Sequence, residues 1–99
     1  MTIRENRDGD VVQLNVEGRV DTTNAGEFQT AILNAFQKGS KVVIDMKDLA
    51  YISSAGLRAL LIGQKTANSK GGMQKLINVG DMILEILETT GFTDILTIE

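Results

Sequence analysis

The sequence has 99 residues, 42% of them hydrophobic, with 10 basic and 13 acidic side chains for a net charge of −3; that suits one compact domain with a modest core and is too acidic for neutralising many nucleic-acid phosphates. The absence of cysteine and histidine excludes a disulfide framework, a thiolate nucleophile, a serine–histidine triad and a histidine-bound metal. The polar start "MTIRENRDGD" has no apolar signal core and no apolar run approaches the ~18 residues of a membrane span, so a soluble cytoplasmic protein with no membrane partner is expected.

Along the chain, "TIREN" and "VVQLNV" are strand-like and flank "RDGD", where Asp8-Gly9 signals a tight hairpin because Gly tolerates positive φ. In the second strand Val12, Leu14 and Val16 alternate with Gln13 and Asn15, the period of a half-buried strand. "EGRVDTTNAGEF" is turn-rich, and from Ala25 the apolar positions Phe28, Ile32, Ala35 and Phe36 follow the helical period as far as a stop at Gly39. Thr22, Thr23 or Asn24 could cap this helix, and Asn24 with Glu27 imitates a capping box.

"KVVIDM" is short, apolar and β-branched, which predicts a buried strand. A second helix is predicted from about Ala55 to Ser69, with Leu57, Leu60, Leu61 and Ile62 on one side and "KGG" ending it. "MQKLINV" reads as a strand, "DMILEILETT" as a helix with Asp81 near its positive end and Gly91 near its stop, and "DILTIE" as a closing strand. The order ββαβαβαβ implies an α/β fold with a mixed sheet of about five strands, a hairpin followed by crossover units, and three or more helices in a single domain over residues 1–99. Met46, Met73 and Met82 are expected as core filler.

In open α/β sheets, ligands and partners gather beyond the carboxyl ends of parallel strands. Two loops qualify, "GRVDTTN" and "KDLAYISSAG"; if they share one sheet edge, Asp21, Thr22 and Thr23 face the Ser53–Ser54 pair. Local chemistry leaves each residue two roles. A serine before a helix is a ready cap, yet neither serine completes a capping box, since Gly56 and Leu57 stand three residues on, and capping leaves the second hydroxyl unexplained. Gly56 costs up to about 1 kcal/mol in a helical turn relative to Ala but permits close backbone approach. Asp21 suits a turn or a cap as well as a site.

"IDMKDLAYISSAGLRALL", which opens with Ile44, Asp45, Met46, Lys47 and Asp48, resembles the signature segment of the STAS domain family, specifically the stand-alone bacterial anti-sigma-factor antagonists. "VEGRVDTTNAGEF" resembles the family's turn into its first helix, and "LETTGFTDILTI" its approach to the last strand, so the similarity runs from about Val11 to Ile98. The family's phosphoacceptor serine, two places before the motif Gly, falls on Ser54. Ser53, a rival acceptor, stands where many members carry Asp, and Ala55 where Ser or Thr is usual. Asp21, followed by Thr22, matches the family's Asp near the partner surface.

The resemblance implies a partner switch. The unmodified chain binds an anti-sigma factor, itself a serine kinase of the histidine-kinase-like ATPase fold, and frees its sigma factor. Phosphorylation of Ser54 breaks that complex, and a metal-dependent serine phosphatase restores it. Asp21, Thr22, Thr23, Ser53, Ala55, Gly56 and Arg58 are the expected partner-binding residues. The chain is expected to be a monomer that acts as substrate and ligand, with no catalytic residue, cofactor or metal. The same resemblance accommodates a switch whose target is not a sigma factor, as in stressosome or secretion control, and a ligand-binding STAS module without phosphorylation.

Overall fold

A computed structural model describes residues 1–99. Strands β1 (Thr2–Asp8) and β2 (Val11–Val20) form an antiparallel hairpin in which Asp8 lies opposite Val11 and Gly9 takes φ 60°, as the Asp8-Gly9 pair predicts. There follow α1 (Ala25–Lys38), β3 (Lys41–Asp45), β4 (Leu49–Ile52), α2 (Ser54–Lys70), β5 (Met73–Ile77), α3 (Asp81–Thr89), a 3-10 turn at Phe92–Asp94 and β6 (Thr97–Ile98). The sheet runs β1-β2-β3-β5-β6, parallel from β2 onward, and β4 pairs with the far end of β2.

Strand alternation puts Val12, Leu14 and Val16 of β2, Val42 and Ile44 of β3 and Leu76 of β5 on one buried face. Phe28, Ile32, Ala35 and Phe36 of α1 and Leu57 and Leu60 of α2 belong to the same core, and the two helices pack against each other. Each large side chain removed from water here contributes about 1.5–3 kcal/mol. On the opposite face, Gln13, Asn15, Val43, Asp45 and Lys75 keep partial exposure.

The α/β class, mixed sheet and three helices agree with the sequence, and the differences have physical causes. Leu49–Ile52, expected as loop, forms a sixth strand: with Leu49 and Ile52 buried and Ala50 exposed, its apolar spacing shows neither a clean alternation nor a helical period. Strand β2 also continues past "VVQLNV" into the turn-rich segment. It crosses a register shift at Gly18/Arg19, and Gly18 takes φ 97°, a conformation that favours glycine.

Helix α2 buries Gly56, Ala59, Gly63 and Ala67 beside Leu57 and Leu60, while Leu61 and Ile62 stay half-buried. Its contact face is built from small residues because the sheet comes close: Gln74 of β5 is buried and donates from Nε2 to the Leu60 carbonyl at 2.9 Å. Of the methionines, only Met46 is core; Met73 is 42% exposed because β5 turns Gln74 and Leu76 inward, and Met82 is 65% exposed because α3 turns Ile83 and Leu87 inward. The closing strand is shorter than "DILTIE", since Phe92–Asp94 forms the 3-10 turn first.

Candidate functional site

Two segments meet beyond the carboxyl ends of β2 and β4. These strands are parallel, with Arg19 beside Tyr51 and Val20 beside Ile52. Asp21 and Ser53 are therefore the next residue on each strand, and the Ser53 N–H donates to the Val20 carbonyl at 2.8 Å. The structure thus brings the Asp21–Thr23 and Ser53–Ser54 segments to one edge. The element responsible is β4, which the sequence reading missed.

The two serines have different surroundings. Ser53 is the N-cap of α2, with extended backbone, 7% exposure and an Oγ that accepts the Gly56 N–H at 3.2 Å. Its carbonyl accepts the Leu57 N–H at 2.9 Å, which starts the helical ladder. Capping therefore occurs without a capping box: one hydroxyl satisfies one of the orphan donors of the first turn. Ser54 is the first helical residue and is exposed.

Helix α2 begins directly on the strands. A Cβ on Gly56 would lie 2.6 Å from Ile52 Cγ1 and 2.8 Å from Val20 Cγ1, so the missing side chain lets the first turn sit on β2 and β4. That gives Gly56 a structural role, left open by the sequence. Ala55 is half-buried against the core, and Arg58, one turn after Ser54, is exposed; no ion pair involves it.

The facing loop is held by its own side chains. Asp21 Oδ1 accepts from the Thr23 N–H at 2.9 Å and from Thr23 Oγ1 at 2.5 Å. The Thr23 hydroxyl, then its N–H, hold the Asp21 carboxyl below the usual range despite a smaller opposing effect of partial desolvation, and the Asn24 N–H and Arg19 charge add to the lowering. Asn24 makes no side-chain cap bond. Its amide braces the loop instead, accepting from the Asp21 N–H and donating to the Arg19 carbonyl, each at 2.9 Å, so the expected Asn24–Glu27 capping box does not form. Thr22 lies exposed at the tip.

Arg19 and Tyr51 are an addition that sequence alone did not supply. The Arg19 guanidinium carbon lies 4.4 Å from the Tyr51 ring centroid, within cation–π range. The only sequence signal is an Arg and an aromatic in segments that become neighbours once β4 is paired. Grooves of about 320 Å³ between β1 and α1, and about 360 Å³ beside Val43 and Met73, lie away from this edge. No helix is long and apolar enough to cross a membrane.

Comparison with known proteins agrees with this architecture. The STAS domain family model matches residues 2–99. The Anti-sigma-B factor antagonist of Bacillus subtilis is 28% identical over 87 residues, covering 88% of this chain and 80% of that protein. An anti-sigma factor antagonist from Mycobacterium paratuberculosis superposes with a TM-score of 0.86 at 19% identity, covering 98% of this chain and 83% of that one. The Bacillus cell fate determinant SpoIIAA in its phosphorylated form superposes with a TM-score of 0.77 at 15% identity, covering 99% and 91%. At these identities the structural matches speak for the fold, and the family match for descent. From its sequence signature through its sheet to the paired loops at the edge of β2 and β4, this chain belongs to the STAS domain family.

Proposed function

We propose that this protein is an anti-sigma-factor antagonist working in a phosphorylation-controlled partner switch, with Ser54 as the phosphoacceptor. The observation that carries the reading is the division of labour between the serines: Ser53 is buried and already bonded to the Gly56 N–H, whereas Ser54 is exposed at the start of α2. A kinase must present the γ-phosphorus of ATP in line with an accessible oxygen. Ser54 Oγ meets that requirement without dismantling the helix; Ser53 Oγ would have to give up its cap and leave the core. The similarity to anti-sigma-factor antagonists, and to one of them in phosphorylated form, supports the same reading.

In this switch the unmodified edge, formed by Asp21, Thr22, Thr23, Ser54, Ala55 and Arg58 on a frame held by Ser53 and Gly56, docks on an anti-sigma factor that is also a serine kinase of the histidine-kinase-like ATPase fold. Ser54 Oγ attacks the γ-phosphorus, its proton passes to a base of the kinase, and ADP departs. The added phosphate carries about −1.5 to −2 charges. The positive end of the α2 macrodipole accommodates it within the chain, while an interface packed around a neutral hydroxyl rejects it, since a buried unpaired charge costs several kcal/mol. A metal-dependent serine phosphatase resets the switch. The chain is substrate and ligand, and the catalytic groups belong to its partners. Kinase and ATP, followed by site mapping, test the assignment.

A further inference from the structure

We propose that Arg58 is the built-in counter-ion of the phosphorylated Ser54, forming the ion pair of the modified state within helix α2 itself. This deepens the reading above and rests on Ser54 as the acceptor. Ser54 and Arg58 stand four residues apart on α2, so they share one helix face, and both are exposed. Side chains on a helix lean toward its N-terminus, which carries the long Arg58 side chain back over the turn that begins at Ser54.

The charge pattern of α2 fits the same role. The helix contains Arg58, Lys65 and Lys70 and no acidic residue, so no carboxylate on it competes for the guanidinium. Arg58 takes part in no ion pair elsewhere. A cation in the first half of a helix gains nothing from the macrodipole, which favours cations at the other end. Phosphorylation reverses this, because an anion preceding a cation by four residues is the favourable orientation of such a pair, and a guanidinium fork matches phosphate oxygens in two-point contact. The other charged groups at this edge do not fill the role: Arg19 is stacked on Tyr51, and the ionised carboxylate of Asp21, held by Thr23, repels a phosphate.

Arg58 therefore lets the chain hold the modification in an ordered form, with its second ionisation eased. The test uses phosphoserine installed at position 54 during translation, independent of any kinase, in the full chain and in Arg58→Gln and Arg58→Lys. The second pKa of the phosphate is followed by phosphorus NMR. The parent should titrate about 0.3 of a pH unit or more below Arg58→Gln, with Arg58→Lys between them, and about 1 M salt should erase the difference. Asp21 is present in all three proteins and cancels. Equal values in the parent and Arg58→Gln overturn the proposal, and so does a difference that survives the salt. Failure of a kinase to modify Ser54 would bear on the acceptor assignment alone, so the two claims fail separately.

Discussion

The backbone N–H of Ser53 donates to the Val20 carbonyl at 2.8 Å, so the residue that caps α2 is also the last link pairing β4 with β2. That bond fixes the direction in which each serine points. With Ile52 and Ser53 facing inward, Ser54 begins the helix on the exposed side. The exposure of Ser54 at this edge is thus set by strand register.

Ser53→Ala should lower stability by about 1 kcal/mol, the usual cost of removing a side-chain N-cap, and should leave phosphorylation at Ser54 intact. Ser53→Asp should stay within about 0.5 kcal/mol of the parent at neutral pH, because Asp and Ser are comparable caps. Urea unfolding checks both.

Gly56→Ala should destabilise by about 1–3 kcal/mol, the range for overpacking, since its Cβ would press on the Ile52 and Val20 side chains at 2.6 and 2.8 Å. A lower urea midpoint without a change in slope would show a loss of native stability with the same surface exposed on unfolding. An unchanged midpoint would mean that the first turn of α2 can lift from the strands.

Ser54→Asp should weaken kinase binding while leaving circular dichroism and cooperative melting close to those of the parent, because position 54 is exposed at a helix start. Ser54→Ala should bind and resist modification. Calorimetric titration against the kinase measures the difference, and a Ser54→Asp protein that binds as tightly as the parent would refute charge rejection.

Acid should loosen the Asp21 loop. The Asp21 carboxyl sits below 3.8, chiefly through the Thr23 hydroxyl, and that of Asp10 also sits below 3.8, chiefly through the Ser40 hydroxyl. Near and below pH 3.8 the unfolded chain therefore binds more protons at these positions than the folded one, so their stabilisation is present above that pH and is lost as pH falls through the lower folded values. Urea midpoints should fall with pH in this range, less steeply for Asp21→Asn; parallel curves would contradict the assignment.

The sequence showed the hairpin, the parallel units, the three helices and the residues of the edge, because Asp8-Gly9, the alternation of β2 and the spacing of Phe28, Ile32 and Phe36 are local signals. Local signals could not separate the serines, and only the family resemblance set Ser54 ahead of Ser53. Which of them faces inward depends on pairing between Val20 and Ile52, a contact across the chain made by a strand too short to show a period. The Arg19–Tyr51 stack was hidden for the same reason. Met82 was expected in the core because positions 82, 83, 86 and 87 all look apolar, and only packing shows that α3 buries Ile83 and Leu87.

The switch turns on one oxygen atom, which phosphosite mapping can identify. After incubation with the cognate serine kinase and ATP, mass spectrometry of the intact chain and its peptides should show a single added phosphate on Ser54. The same site should be modified in Ser53→Ala. Phosphate found solely on Ser53 would contradict the account, because it would require the buried cap of α2 to open before the exposed hydroxyl beside it reacts.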